Sequence, residues 1–234
     1  MNTIQSLVRV GVVAAFVGAP LLLVSTVLHP SNSDPNVPLA AFTEYAASSR
    51  WVWIHLGQFA GVVGLGVSFT ALAATMEAGA SAAWARVGLL GIAVTIAVAA
   101  TLQAVDGVAL KVMVDRWAVA TGDARDRAFE AAFAVRQIEI GLASLLSLVT
   151  GFTLAVFALA IILGARYPMW LGWIGLVDGV GTVGAGMAQA STGFSGLSMM
   201  LSTSTSIILL VWALATGALM WRVIPQLSEG RRSA

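Results

Sequence analysis

Apolar residues run for membrane-spanning lengths at six places along the chain, roughly 8–28, 51–76, 84–110, 137–164, 168–190 and 203–222. A helix rising about 1.5 Å per residue needs about 20 such residues to cross about 30 Å of hydrocarbon, so the pattern predicts six transmembrane helices. Between the third and fourth runs the stretch KVMVDRWAVATGDARDRAFEAAFAVRQIEI keeps a helical rhythm. Val112, Trp117, Phe129 and Phe133 fall at helical intervals among charges, as on amphipathic helices. A break at Thr121-Gly122-Asp123 divides it, so the third and fourth helices extend beyond the bilayer as a helical hairpin over about 107–136. The segment 30–50 opens with HPSNSDPNVP and continues as a short amphipathic turn, LAAFTEYAAS, with Pro38 suited to a first helical position. The expected fold is all-α: a single integral membrane domain over 1–234.

Composition agrees. The chain is 59% hydrophobic and only 10% charged, against about 25% in soluble domains; a protein of this size cannot hide that much apolar surface in one core, and lipid must cover it. The absence of cysteine removes disulfides and thiolate chemistry, and a net charge of +1 argues against nucleic acid as a partner. The first run is longer than a usual signal-peptide core and closes without a small-x-small cleavage site, so it is expected to stay as a membrane helix. Lys and Arg are balanced between the two faces. Arg9, Arg86, Arg166, Arg222, Arg231 and Arg232 lie on one, opposed only by Glu77 and Glu229; Arg50, Lys111, Arg116, Arg125, Arg127 and Arg136 lie on the other with most of the acids. The first set sits in short termini and turns, where the positive-inside rule acts most strongly, whereas long segments cross largely regardless of charge. Both termini are therefore expected in the cytoplasm, in a plasma-membrane protein.

One motif suggests a different protein. Gly179-Val-Gly181-Thr-Val-Gly184 matches G-x-G-x-x-G, but a dinucleotide loop needs a strand before it and a helix after it, and WLGWIGLV and MAQA instead place it inside the fifth membrane run. The glycines at 175, 179, 181, 184 and 186, with a G-xxx-G pair at 175 and 179, read as small surfaces for a close helical neighbour. Asp178 falls about 18 Å along that helix from Arg166. An acid at such depth is by default a functional-site candidate; the alternative is a neutral carboxyl bonded to Ser147, Thr150 or Thr153.

A second polar set lies at the outer ends of the spans. His55 and Gln58, Gln103 and Asp106, and Arg136 and Glu139 each pair at i, i+3 on one helix face; His29 ends the first span and Gln189 the fifth. The outer loop STGFSGLSMMLSTSTS adds hydroxyls. These positions predict an outward-facing polar pocket near the lipid–water interface for a small apolar ligand or a cofactor. With a carboxylate from Asp106 or Glu139, His29 and His55 would form a His₂-carboxylate set for zinc or non-haem iron. They would alternatively hold a haem, with Arg50, Arg136 or Lys111 near its propionates. Without a metal, Asp106 or Glu139 would serve as acid or base on a lipid-soluble substrate, with Gln58, Gln103, Lys111, Arg136 and Gln189 lining the site. An Asp106–Arg136 salt bridge without chemistry, and an accessory or oligomeric role in which the hairpin meets a protein partner, also fit. No internal repeat supports a transporter.

The segments LHPSNSDPN, EYAASSRWVWIHLGQF, LQAVDGVALK, RQIEIG and STGFS together resemble a family of bacterial multi-pass membrane proteins, frequent in actinobacteria, that has no assigned activity. The resemblance implies the membrane architecture and no residue roles.

The orientation is tested with single cysteines placed at Ser81 and Thr121. An impermeant thiol reagent applied to intact cells is expected to label position 121 and leave position 81 untouched; the opposite result reverses the topology.

Overall fold

A computed structural model describes residues 3–76 and 78–229; Glu77, Arg231 and Arg232, which entered the charge argument, lie outside the described residues. The described chain is helical throughout, without strands. The spans are α1 (Thr3–Val27), α3 (Trp51–Ala74), α4 (Gly79–Gln103), α6 (Asp123–Ile162), α7 (Met169–Thr192) and α8 (Gly196–Val223). The short helix α2 (Pro38–Ala47) follows α1 and starts on Pro38, where a missing N–H costs nothing. A π-helical stretch, Ala104–Leu110, continues α4 into α5 (Lys111–Val119), and α9 (Gln226–Glu229) closes the described chain. Six helices, with α4 to α5 taken as one, are long and apolar enough to cross a membrane. The protein is polytopic, and lipid is its surroundings.

The expected hairpin is present. At 40 residues, α6 is about 60 Å long, twice the hydrocarbon thickness, and it turns back from α5 at Gly122, whose φ of +54 favours glycine. Val112 departs from expectation: it is 56% exposed, while Trp117 is buried. The hydroxyl-rich loop also departs. It is almost entirely helix, and Ser191, Thr192 and Thr205 satisfy their hydroxyls there by donating to carbonyls four residues back. Only 193–195 turn, and Ser195 caps α8 by accepting from the Ser198 N–H.

Packing runs α1–α3–α4–α6–α7–α8 and back to α1, a closed ring in chain order. Lipid offers little hydrophobic drive for helix association, so close fit carries it. Phe69 stacks on Phe157 and Trp212 at 5.7 and 5.5 Å, and the Trp212 indole donates to the Leu171 carbonyl at 2.7 Å. A second core, around Phe42, Trp51, Leu110, Val114 and Trp117, fastens α2 to the hairpin.

The glycine-rich segment is helical, as its flanks required. Its glycines do not serve a single neighbour: Gly179 and Gly186 meet α6, Gly175 meets Trp212 of α8, and Gly184 faces open space. Asp178 is buried at 2% exposure. The expected contact with Ser147, Thr150 or Thr153 is not made: Ser147 and Thr153 donate to their own helix at Ala143 and Val149, and Asp178 Oδ1 has no hydrogen-bond partner.

A close backbone approach is at Gly179, where an added Cβ would stand 2.7 Å from the Gly151 oxygen and 2.8 Å from the Ala155 nitrogen. Both are backbone atoms, so α6 and α7 would have to separate. Gly179→Ala is expected to destabilise the detergent-solubilised protein by about 1–3 kcal/mol, whereas Gly184→Ala is neutral. Thermal unfolding of the two variants checks this, and equal midpoints would refute it.

Candidate metal centre at the hairpin end

The site begins with Trp51, the first residue of α3 and 1% exposed. Its carbonyl accepts a 2.7 Å hydrogen bond from His55 Nδ1, one turn along the same helix. A carbonyl has no proton to give, so Nδ1 carries the hydrogen and Nε2 is the ring's variable position. Nε2 lies 2.9 Å from Asp106 Oδ2. The Trp51 indole in turn donates to the Asp106 backbone carbonyl at 2.9 Å, so one residue holds both partners of that contact.

Asp106 reaches His55 from the π-helical stretch. A π-turn contains an extra residue, which rotates the side chains that follow; such turns recur at functional sites. The next residue must be glycine, because a Cβ at Gly107 would lie 2.6 Å from His55 Cβ. Asp106 Oδ1 is buried and has no partner, an uncommon condition for a carboxylate oxygen.

His29 completes the group. It follows α1, and its ring meets His55 edge to face at 5.1 Å and Trp51 at 4.8 Å. Burial lowers its pKa below the usual value, with His55 and Arg136 acting in the same direction and Asp106 opposing them. The neutral ring, with a lone pair to offer, is therefore favoured. One ligand atom each from His29, His55 and Asp106 lies within 4.8 Å of the others. Donors bonded to one ion at about 2.1 Å in a tetrahedral site stand about 3.4 Å apart. The His55–Asp106 spacing of 2.9 Å is within that, and the widest spacing has to close by about 1.4 Å to bring in the third.

The other predicted residues divide into three groups. Glu139 is turned away from ligation, because both its oxygens accept from Arg136 Nη1 at 2.6 and 2.7 Å. Arg136 also donates to the Pro35 carbonyl at 3.3 Å and lies over the Phe194 ring at 4.7 Å. The pair clamps two loops beside the centre, and the expected Asp106–Arg136 bridge is not formed. Asp106 faces His55 instead, and Arg136 pairs with Glu139 at i, i+3. Tyr45 lies in the same field: its hydroxyl is pushed up to about 12 by burial, which Glu139 and Asp106 reinforce against Arg136. Gln58 and Gln103 contact each other at 3.5 Å, one helical turn from His55 and Asp106. Lys111 serves the hairpin instead, paired with Asp115 at 2.5 Å and donating to the last turn of α2 at Ala46. Gln189 is buried, with its amide nitrogen unpartnered, and contributes no donor to the His29–His55–Asp106 group.

A haem does not fit between these histidines. Axial imidazoles must face each other across a flat macrocycle, but here the rings touch and Trp51 covers both. The intended propionate partners Arg136 and Lys111 are also engaged. Trp51, Gly107 and the π-turn were missed from sequence. Trp51 is four residues before His55 and Gly107 directly follows Asp106, so the spacing carried a trace of both; the π-turn left no comparable sign.

Comparison with protein-family models, with curated proteins and with solved structures finds no match to this chain.

Gly107→Ala is expected to push α3 from the π-turn, lengthen the His55–Asp106 contact and destabilise the protein by about 1–3 kcal/mol. Thermal unfolding measures the loss; an unchanged midpoint would mean that the close approach is not needed.

Proposed function

We propose that the protein is a membrane metalloprotein, holding one divalent ion, zinc or ferrous iron, between His29, His55 and Asp106, for chemistry on a small apolar ligand. The observation that carries the reading is the convergence of three donors from the turn after α1, from α3 and from the π-turn within 4.8 Å, with His55 Nδ1 bonded to a backbone carbonyl. A ligating histidine commonly gives its other N–H to such an acceptor, which orients the ring and raises its basicity. The unpartnered Asp106 Oδ1 supports it further, since a second carboxylate oxygen can bind the ion or a water on it. Two imidazoles and a carboxylate suit zinc and non-haem iron and leave coordination positions for water or substrate. With both termini in the cytoplasm, as the arginine placement favours, the centre lies at the outer side of the plasma membrane.

Protein purified in mild detergent without chelator is expected to contain close to one zinc or iron per chain by elemental analysis, and to show no haem absorbance. His29→Ala, His55→Ala and Asp106→Ala should each reduce the metal at least tenfold while the protein still elutes as a folded species; Asp178→Asn should retain it. Wild-type protein that neither carries nor takes up either ion would overturn the reading and leave His55–Asp106 as a structural hydrogen bond.

A further inference from the structure

Inside the ring of helices lies a cavity of about 280 Å³, bordered by all six spans. Its hairpin end is formed by Gln58 and Gln103, and its far end by Phe69, Ile92 and Leu154. From Gln58 to Phe69 is about 16 Å along α3. Hydroxyls are frequent on the wall, but Ser147, Thr153, Thr182 and Thr205 give their protons to carbonyls of their own helices. They show a ligand mainly carbon and lone pairs. The two glutamines differ. Their mutual contact, long at 3.5 Å, uses one N–H and one oxygen, leaving N–H groups on both amides and a buried Gln103 oxygen without a partner. Thr26, Thr150 and Ser206 also line the wall, so the two glutamines are the largest concentration of unused hydrogen-bonding capacity in the chamber rather than its only source. The lining holds no charged side chain, and an uncompensated charge at membrane depth costs several kcal/mol.

We propose that this cavity binds a neutral lipophile with a single hydrogen-bonding head, of the class of a medium-chain alcohol, its head between Gln58 and Gln103 and its chain reaching toward Phe69. At about 30 Å³ per heavy-atom group the volume holds about ten, and an extended chain of that length matches the span. The head is one helical turn, about 5.4 Å, from His55 and Asp106. Its placement beneath a metal rests on the function proposed above, whereas the cavity and its polarity do not.

The test uses a decanol analogue with a mid-chain diazirine, photolysed with the purified protein, and the adducts are mapped by mass spectrometry. Adducts are expected on the mid-cavity walls of α4 and α6, near Ile96 and Thr150. Unlabelled 1-decanol should compete at least tenfold better than decane or decanoate. Gln103→Leu should remove that advantage, and Thr150→Phe, which fills the chamber, should abolish the adducts. Labelling confined to lipid-facing residues such as Val94 and Phe152, or equal competition by decane or decanoate, would overturn the proposal. Metal analysis of the same sample separates the two readings. Cavity adducts in a metal-free protein keep this site and discard the metal, and a metal-loaded protein without adducts does the reverse.

Discussion

The hydrogen bond from His55 Nδ1 to the Trp51 carbonyl is the contact on which the hairpin end depends. It assigns the proton on one ring nitrogen, and so leaves Nε2 to face Asp106. It also ties ring orientation to the first turn of α3, where carbonyls and indole are already placed by packing against α2 and the π-turn. Without it the ring would be oriented only by its packing and by Asp106, and the tautomer that leaves Nε2 to face the carboxylate would not be fixed. Trp51 thereby acts as a positioning residue: its carbonyl orients His55, its indole holds Asp106, and its ring packs against His29.

The two polar pairs next to each other illustrate how neighbouring charges acquire different roles. Arg136 and Glu139 share a helix face and neutralise each other within one turn of α6. Breaking such a buried pair by removing one partner leaves a charge stranded, so it is better suited to hold loops than to perform chemistry. Asp106, deprived of that arginine, has an imidazole on one oxygen and nothing on the other. The difference between the two carboxylates comes from which side chain is nearer, an arginine for Glu139 and an imidazole for Asp106, not from the carboxylate itself.

The same economy of hydrogen bonds shapes the interior of the bundle. In lipid, every polar group must find a partner within the protein, and many hydroxyls in the spans find one on their own helix. Small residues let α1 approach α3 and α6 approach α7 closely, while larger ones at Phe69, Phe157 and Trp212 fill the termini side of the ring. What remains is a chamber whose unused polar capacity sits beside the candidate metal centre. The glutamines are the link between the two, as each shares a helix with one member of the centre.

Much of the architecture was legible in the residue order, because lipid imposes a strong and local code: length of apolar run, punctuation by Pro and Gly, and the position of arginines relative to the runs. The six spans, the hairpin, the start of α2 at Pro38 and the rejection of a phosphate loop all follow from that code. The i, i+3 pairing also put His55, Gln58, Gln103 and Asp106 at one end, since helical rise alone sets depth. Rotation about each helix axis was not legible. Whether Asp106 turned to His55 or Arg136 depended on the π-turn and on the absence of a Cβ at Gly107, and whether Asp178 met a hydroxyl depended on how α7 is rotated against α6. Depth is a property of one helix and can be counted along its sequence. Facing is a property of two helices packed together, and only the tertiary structure decides it.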